Sequence, residues 1–505
     1  MQETTPVGSG MIAQLRSYPR AFWFANWMEL VERWAYYGVR LVLAMYIVGA
    51  LNKGGLEFNH IQKGQIYLWW AIIASFLPMF TGGLADRYGY KKTIAVATAT
   101  KILGYSLMAT QHSYPGFFAG CMLLAAGTGL FKPGVQGLIA HSLAGKNASM
   151  GWGVFYELVN FGAFLGGILA TPLREHSWGT VFYFNTALIA LNFLPLLMFK
   201  ENTSHRDAIP PRTGSVMGEV AGVIVSSVKN LLEPRLAVFI LIFSGFWFSF
   251  NQLFDLLPNF IDDWTDVATL VGPAIVTAKF KLTDGSIAAE QILNLNSLMI
   301  LLVMIPVGYM ASKFKPLTAI CVGVAAAVAG ICISGFTMGA WASIIGVLVF
   351  TVGEMLASPR TKDFMASSAP TEKKGLYLGY SEVPNGLGWA VGSLFAGNFY
   401  EHHGDKVNFA RGYLTEHGMT AEAVKAIPKE KVMDTLATQL HLTVPQATQM
   451  LWDTYHPSAV WYYIAGVGAA SLVALVAYNV VISNLDRDRE LTSTVPAAKS
   501  ETPVS

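Results

Sequence analysis

A charged stretch inside an apolar run constrains this chain more than any other feature. The run covers residues 22–51, which exceeds the roughly 20 residues that a helix needs to cross a bilayer. Within it lie Glu29, Glu32, Arg33 and Arg40. Each charge at the centre of a membrane helix costs about 2.5–3.5 kcal/mol on insertion scales, so these four side chains must face other helices or a wet cavity.

The charged residues fall on one stripe of the predicted helix. Residues three and four apart share a helix face, which makes Glu29, Glu32 and Arg33 neighbours and continues the stripe through Tyr36 and Tyr37 to the last arginine. Two interpretations follow. The stripe is either an ion cluster that only locks helices together, or a site that binds a polar solute and exchanges protons.

Composition identifies an integral membrane protein. Of the 505 residues, 53% are hydrophobic and only 13% are charged, whereas soluble domains carry roughly 25% charged residues. The formal net charge of +2 gives no support for a nucleic-acid partner. The three cysteines lie in apolar runs without CxxC spacing, so we predict neither a disulfide framework nor a metal site. No cofactor is expected.

Apolar runs of membrane length predict twelve spans and hence an all-α membrane protein. The spans lie at about 21–50, 64–85, 92–111, 116–140, 150–172, 178–199, 236–262, 290–312, 316–337, 340–366, 376–400 and 458–483.

The order of six spans, a polar linker and six spans predicts two related six-helix bundles. A small helical insert separates the last two spans. The predicted units are an N-terminal bundle at 1–200, a cytoplasmic linker at 201–235, helices 7–11 at 236–400, an extracytoplasmic insert at 401–457, helix 12 at 458–483 and a cytoplasmic tail at 484–505.

Basic residues in short loops predict that both termini are cytoplasmic. These residues follow spans two, eight and ten and recur in the linker: Arg87, Lys91, Lys92, Lys313, Lys315, Lys373, Lys374, Arg206, Arg212 and Arg235. Within the linker, residues 216–232 have the pattern of an amphipathic helix on the membrane surface.

The insert has the start signals of several helices. Thr420 is a candidate N-cap, and Thr443 with Gln446 reads as a capping box. Apolar residues on the predicted helices form a candidate seam, made of Leu436, Leu440, Met450 and Leu451. The insert is therefore either a rigid connector or a lid or partner-binding module.

The loop after the second span carries a Gly-rich basic motif, which reads Gly-Gly-Leu-Ala-Asp-Arg-Tyr-Gly-Tyr-Lys-Lys over residues 82–92. It is similar to the loop motif of the major facilitator superfamily, Gly-x-x-x-Asp-Arg-x-Gly-Arg-Lys. Asp86 and Arg87 are therefore candidate gating residues, because a carboxylate can bind the positive end of a neighbouring helix. The alternative is a basic cytoplasmic loop with no gating role.

The first-span stretch resembles a more specific signature. Residues 29–38 read Glu-Leu-Val-Glu-Arg-Trp-Ala-Tyr-Tyr-Gly. Proton-coupled oligopeptide transporters, a family within the major facilitator superfamily, carry Glu-x-x-Glu-Arg-Phe-x-Tyr-Tyr-Gly. Only Trp34 departs from it. The resemblance implies the major facilitator fold, transport of small peptides with protons, and no enzymatic activity.

Further motifs extend the resemblance to both halves of the chain. Lys132 lies in Gly-Thr-Gly-Leu-Phe-Lys-Pro, Asn160 in Phe-Tyr-Glu-Leu-Val-Asn, and Glu354 in Gly-Glu-Met-Leu-Ala-Ser-Pro. Asn296 resembles a family residue near the peptide amino end. The resemblance implies that Lys132 pairs with the first-span acids, and that Glu29, Glu32, Arg33 and Lys132 couple protons. It implies a substrate site of Arg33, Tyr36, Tyr37, Lys132, Asn160, Asn296 and Glu354. Without it, Lys132 could snorkel to an interface and Asn160 could join two helices.

Several charges depart from the family pattern. Asn251 stands where the family has a glutamate that pairs with the arginine ending the first-span signature, here Arg40. Asp255 and Glu382 are the two candidate replacements, so Arg40 and Asp255 are candidate gating residues. Lys101 and Arg360 have no assigned role.

The leading hypothesis is a monomeric proton-coupled symporter of di- or tripeptides or peptide-like solutes in a bacterial inner membrane. Its partners would be protons, the solute and the lipid bilayer. One alternative is a major facilitator importer or exporter of a non-peptide charged solute, which the missing acid at Asn251 favours. A membrane receptor or enzyme is more distant, because the sequence shows no nucleophile–base pair.

Overall fold

The computed structural model describes residues 11–143, 147–199, 201, 231–368 and 380–494, with isolated residues 218, 222, 225 and 229 in the central linker. Four predictions therefore lie wholly or mostly outside the described residues. They are the basic residues Arg206 and Arg212, those at Lys373 and Lys374, the amphipathic helix at 216–232, and the last part of the tail.

Among the described residues, twelve long helices lie at the positions of the predicted spans. Two of them, α6 and α7, are each divided into two pieces by a short break. The helices are α1 Arg20–Val48, α2 His60–Tyr88, α3 Tyr90–Thr110, α4 Tyr114–Ser142, α5 Ala148–His176, α6 Trp178–Ala190 with Phe193–Met198, α7 Pro234–Asp255 with Leu257–Trp264, α8 Ala289–Ser312, α9 Pro316–Gly335, α10 Ala340–Ser368, α11 Val383–His403 and α16 Ala459–Thr494.

Within the described part of the chain, nine helices are long and apolar enough to cross a membrane. The other three long helices, α1, α3 and α11, have 29, 21 and 21 residues and more polar sequences. In α1 the reason is the charged stripe itself. Charged residues lower the mean hydropathy of such a helix, although other helices surround its charged face.

The helices pack as two bundles. In the first, α1 packs on α5, while α3 contacts α4 and α6. In the second, α9 packs on α10 and α7 lies between α11 and α16. The two bundles meet along α2 with α11 and along α5 with α8. This interface surrounds the charged stripe of α1.

Local sequence signals explain two turns that position α2 and α3. The Asn59 side chain accepts a hydrogen bond from the Gln62 backbone N–H, and the Gln62 side-chain oxygen accepts one from the Asn59 backbone N–H. This capping box starts α2. Gly89 alone separates α2 from α3 and has φ +105°, a conformation that residues with a Cβ rarely adopt. The glycine of the predicted loop motif is therefore required by the backbone.

The insert consists of four helices, α12 Lys406–Glu416, α13 Ala421–Lys425, α14 Val432–Leu440 and α15 Val444–Tyr455. Thr420 caps α13, and Thr443 forms the predicted capping box with Gln446. Leu436 and Leu451 are fully buried. Leu440 and Met450 pack against the same core, as the predicted seam requires.

Aromatic contacts attach the insert to the second bundle. Trp452 of α15 lies with its ring centre 5.8 Å from that of Trp264 and 6.0 Å from that of Phe260, both in the second piece of α7. The Trp264 indole N–H also donates to the Gly404 carbonyl at 2.8 Å. The insert therefore covers one end of the bundles, which we call the insert side.

Glycine contacts between α9 and α10 give a stability test. A Cβ at Gly353 would lie 2.4 Å from the Gly323 carbonyl oxygen and 2.5 Å from the Ala327 nitrogen, both backbone atoms that cannot rotate away. Gly353→Ala should therefore lower the thermal unfolding midpoint in detergent. Gly466→Ala is the matched control, because no atom lies within 4 Å of its Cβ position. It should be neutral or stabilising by up to about 1 kcal/mol. Equal midpoints for the two variants would contradict this packing.

Candidate functional site

Four charged groups form a buried network between α1 and α3. Arg33 forms ion pairs with Glu32 and, at 3.3 Å between Nε and Oε1, with Glu29. The other oxygen of Glu32 forms an ion pair with Lys101 of α3. All four residues are buried. The charges of the two acids and the two cations cancel, so this network lies in the bundle interior without a net charge.

Lys101 takes the place that the sequence analysis assigned to Lys132. In this structure Lys101 contacts Glu32 directly, whereas Lys132 forms no ion pair with the first-span acids and lies only within electrostatic reach of Glu29. A glycine makes the room for it, since a Cβ at Gly127 would lie 2.5 Å from Lys101 Cγ. Its ammonium also lies 5.0 Å from the ring centre of Phe131. An unexplained lysine in the middle of an apolar run was the sequence signal for this role.

A cavity of about 270 Å³ lies between the two bundles, next to this network. This volume is slightly below the range for small-molecule sites, which is roughly 300–1,000 Å³. Helices α1, α2, α4 and α5 of the first bundle and α7, α10 and α11 of the second contribute to its wall. Its ionisable lining residues are Arg33, Tyr36, Tyr37, Arg40, Lys132, Tyr156, Glu354, Lys362 and Glu382.

The predicted substrate residues divide into two groups. Arg33, Tyr36, Tyr37, Lys132 and Glu354 line the cavity together, so the structure brings them into one site. The Arg33 guanidinium lies 5.0 Å from the Tyr36 ring centre, and the rings of Tyr36 and Tyr37 meet edge to face. The tyrosines thus hold the positive group against an aromatic wall.

Asn296 lies behind the cavity wall and supports Glu354. Its side-chain amide donates to Glu354 Oε2 at 2.7 Å and to Thr351 Oγ1 at 3.1 Å. Asn296 is buried and is not among the lining residues. It orients the carboxylate, so the expectation that Asn296 itself meets the solute is not met in this structure.

Asn160 is also outside the cavity lining. Its side-chain amide donates to the Tyr156 carbonyl of its own helix at 2.9 Å. Tyr156, one turn earlier, lines the cavity in its place. The motif therefore locates the correct helix, α5, although the sequence analysis selected a residue one turn too late.

Arg40 and Asp255 connect the two bundles on the insert side of the cavity. Their side chains form a buried ion pair, and the second carboxylate oxygen of Asp255 accepts from the Trp389 indole at 2.7 Å and the Ser393 hydroxyl at 2.9 Å. Lys63 of α2 donates to the Asp255 carbonyl at 2.9 Å. Of the two predicted replacements for the missing acid, Asp255 is therefore the partner of Arg40, and Glu382 is not.

Further polar contacts join the bundles on the same side. Arg174 of α5 pairs with Glu290 of α8 at 2.7 Å. The His60 ring lies 3.0 Å from Asp405, and the His60 backbone N–H donates to Glu401 at 2.6 Å. These contacts close the insert side of the cavity in this conformation.

Two carboxylates on the insert side, both outside the apolar membrane spans, have shifted pKa values. Burial and the negative charge of Asp405 raise the pKa of Asp263 to about 7. Burial opposes ionisation of Asp405 as well, but the His60 ring and Lys429 outweigh it and lower the pKa of Asp405 to about 2. Asp263 also accepts a hydrogen bond from the Tyr400 hydroxyl at 2.8 Å. At neutral pH Asp405 is thus the ionised partner in the contact with His60.

The predicted gating residues Asp86 and Arg87 lie at the opposite end of α2. Asp86 accepts from the Tyr90 hydroxyl at 2.5 Å. The N-terminal amides of α3, at Tyr90 and Lys91, donate instead to Glu201, at 2.8 and 3.2 Å. The helix end is therefore bound by an acid that follows α6. The gating role of Asp86 and Arg87 stays a prediction.

The sequence analysis missed Lys362 and left Arg360 unplaced. Both lie on α10, two residues apart, but only Lys362 lines the cavity. Arg360 points elsewhere, bonding to Asp363 and to the Phe314 carbonyl, each at 2.6 Å. The signal available in the sequence was the position of Lys362, a lysine eight residues after Glu354 on the same helix.

Comparison with known proteins assigns the chain to a family. The model of the Major Facilitator Superfamily matches residues 27–393. The chain belongs to the Major Facilitator Superfamily. This assignment confirms the predicted fold class, and it confirms that the protein groups with transporters and not with enzymes. It is an integral membrane protein.

Among curated members of this superfamily, the dipeptide and tripeptide permease A of Erwinia pyrifoliae is 26% identical over 217 residues, covering 41% of this chain and 43% of that protein. Peptide transporter 3 of Caenorhabditis elegans is 27% identical over 240 residues, covering 44% of this chain and 33% of that protein. The chain thus aligns with less than half the length of these relatives. The resemblance to peptide transporters that the motifs predicted is confirmed.

Solved structures share the fold over nearly the whole chain. A peptide transporter, POT, in complex with sulfate superposes with a TM-score of 0.66 at 16% identity, covering 96% of this chain and 97% of that one. The nucleoside transporter NupG gives 0.65 at 13% identity, covering 91% and 98%. Both have the same arrangement of two bundles.

The ion pair of Lys101 gives a direct test of the buried network. Removing one partner of a buried pair typically costs about 3–5 kcal/mol, because the other charge is left uncompensated. Lys101→Met should therefore destabilise the protein strongly, and Glu32→Gln in the same chain should restore much of the loss. Thermal unfolding in detergent measures both.

Lys132→Met is the matched control, because the described residues give Lys132 no ion pair. It should change the unfolding midpoint little. A larger loss for Lys132→Met than for Lys101→Met would contradict the assignment of Lys101 as the partner of Glu32.

Proposed function

We propose that the protein is a proton-coupled symporter of peptide-like solutes that works by alternating access. One observation carries the proposal. A single small cavity presents cations from the first bundle, Arg33 and Lys132, and an acid from the second, Glu354. A zwitterionic solute needs this arrangement, with its carboxylate at one wall and its ammonium at the other.

Binding of such a solute would draw the bundles together. Each end of the solute bonds to a different bundle, and a poorly solvated cavity strengthens both interactions. The solute therefore favours conformations in which the two walls are close, which biases the protein toward an occluded state. The aromatic groups around it, such as Tyr36 and Trp247, supply an apolar lining for the rest of the molecule.

The geometry of the α1 acids supports Glu29 as the proton acceptor. Both oxygens of Glu32 are held, one by Lys101 and one by Arg33. Glu29 has a single ion pair, and its Oε2 is buried without a hydrogen-bond partner among the described residues. A proton on that oxygen removes the unpartnered charge and weakens the hold on Arg33. The guanidinium then becomes available to the solute carboxylate.

Alternating access requires the insert side to open at some point of the cycle. The bundles would separate there by breaking the pairs of Arg40 with Asp255 and of Arg174 with Glu290. Both termini would be cytoplasmic and the membrane a bacterial inner membrane, which places the insert outside. The protein would act as a monomer without a cofactor, using the proton gradient as its energy source.

A second candidate is transport of a non-peptide charged solute. The observation that favours it is the pair Lys362 and Glu382, which adds charges to the wall of the second bundle. The likeness to a nucleoside transporter shows only that the fold does not select the solute. Competition of the uptake by amino acids, nucleosides and charged peptide analogues separates the candidates.

Substituting Glu29 tests the coupling. In liposomes with an inward proton gradient, the wild-type protein should accumulate labelled dialanine above its external concentration. Glu29→Gln should abolish this accumulation but retain exchange of labelled for unlabelled dialanine, because the solute site is intact and only the proton acceptor is lost. Glu32→Gln should also lose accumulation, with a larger fall in stability, since it leaves Lys101 unpaired.

The control is Glu157→Gln, which removes an acid of α5 that does not line the cavity. It should leave accumulation unchanged. Gradient-driven accumulation by Glu29→Gln at the wild-type level would exclude Glu29 as the coupling residue.

A further inference from the structure

Three charged groups that line the cavity form a cluster outside the ion pairs of the α1 network, although one of them, Lys132, also lies within electrostatic reach of Glu29. Glu382, the residue before α11, lies within electrostatic reach of two ammonium groups, Lys132 from the first bundle and Lys362 from the second. In the described part of the chain, none of the three has an ion-pair partner within 4.0 Å, and all three line the cavity. The cluster therefore has two cations for one acid and holds one surplus positive charge.

The remaining charges that line the cavity balance when each is counted with the ion-pair network to which it belongs. Lys63 is outside this count, because it forms no ion pair in the described residues and donates to the Asp255 carbonyl and to Asn259 on the insert side. Glu29 and Glu32 cancel Arg33 and Lys101. Arg40 is cancelled by Asp255. Counted as ionised, Glu354 adds one negative charge, because its partner Asn296 is neutral. The negative charge of Glu354 cancels the surplus positive charge of the cluster. Counted over the described residues, the empty cavity is therefore neutral.

A co-transported proton changes this balance by one positive charge. Carrying net charge through the low-dielectric interior of a membrane protein is costly. The loaded cavity is therefore neutral only when the solute itself has a net charge of −1. A simple zwitterionic dipeptide would leave the loaded cavity with one positive charge, and a basic dipeptide would leave it with two.

We infer that the preferred solute is a peptide-like zwitterion with one additional acidic group, which binds between Lys132 and Lys362, and that it crosses the membrane with one proton as a neutral pair. The inference rests on the proposed function and names its substrate class. The amino group of the solute would bind Glu354, and its α-carboxylate would bind Arg33. The additional acidic group would bind Lys132 and Lys362, whose charges Glu382 balances only in part in the empty protein. Lys362 is then a specificity-determining residue.

The first test compares three labelled dipeptides, Ala-Glu, Ala-Ala and Ala-Lys, in proteoliposomes with an inward proton gradient. Uptake of Ala-Glu should exceed that of Ala-Lys by about tenfold or more. The repulsion of one like-charge contact in such a cavity is large enough to weaken binding by more than this factor. A potassium diffusion potential, negative inside, should stimulate uptake of Ala-Ala and leave uptake of Ala-Glu unchanged. Equal uptake of the three peptides would overturn the inference.

The second test changes the charge of the cluster. Lys362→Met and Lys362→Gln remove one positive charge, so the cavity loaded with a proton becomes neutral with a zwitterion. The preference should move from Ala-Glu to Ala-Ala in both variants. Lys362→Arg keeps the charge and should keep the wild-type preference. Arg360→Met is the matched control, because it removes a cation of the same helix that bonds to Asp363 outside the cavity.

The outcomes separate this inference from the function on which it rests. Gradient-driven uptake of dialanine without a preference for Ala-Glu, or with a preference that Lys362→Met does not change, contradicts the inference alone. No gradient-driven uptake of any peptide by folded protein contradicts the proposed function, and the inference falls with it. Loss of the Ala-Glu preference in Arg360→Met would also contradict the role given to Lys362.

Discussion

The need to neutralise charge inside a membrane decides which helices of this protein must meet. Glu32 is completely buried and can stay ionised only because Arg33 and Lys101 hold its two oxygens. That requirement links α3 to α1 through the Lys101 side chain, with Gly127 of α4 leaving room for the lysine stem. The same principle joins the bundles, where Asp255 holds Arg40 on the insert side. The folding and the proposed mechanism thus depend on the same ion pairs.

The insert contacts the two bundles through different kinds of interaction. Its contacts with the second bundle combine aromatic packing, through Trp452 against Phe260 and Trp264, with a hydrogen bond from the Trp264 indole to the Gly404 carbonyl. Its contacts with the first bundle are polar. They consist of Lys429, which donates to the Val48 carbonyl at 2.8 Å, and the neighbouring pair of His60 with Asp405. Apolar contacts of this kind persist when bundles rotate, whereas single hydrogen bonds can break and re-form. The insert would thus move with the second bundle.

The sequence predicted the number and order of the spanning helices, because each apolar run has the length of a membrane crossing. It also predicted the caps of the insert, since Thr420 and Thr443 act on residues close in the chain. The partners of buried charges were harder to predict. The motif favoured Lys132 as a partner of the first-span acids, and only the packed structure shows that Lys101 forms the ion pair with Glu32. Lys362 was missed for the same reason, since its position on the cavity wall depends on how α10 faces the first bundle.

Residues at the edge of the site show the limit of motif transfer. A motif identifies a helix reliably, but a shift of one turn decides whether a side chain lines the cavity. Asn160 and Asn296 are both adjacent to it, yet one bonds to its own helix and the other to Glu354. Asp255 was within reach of sequence reasoning because it lies one turn after the missing acid at Asn251, so it remains on the same helix face.

The central claim is that solute and proton move together through this one cavity, and reciprocal coupling tests it most directly. Proteoliposomes would contain a pH-sensitive dye inside and start without a proton gradient. Adding an inward gradient of dialanine or Ala-Glu should acidify the lumen in wild-type protein and not in Glu29→Gln. Peptide entry without any change of internal pH would contradict the account, because it would show that the cavity carries the solute without the proton.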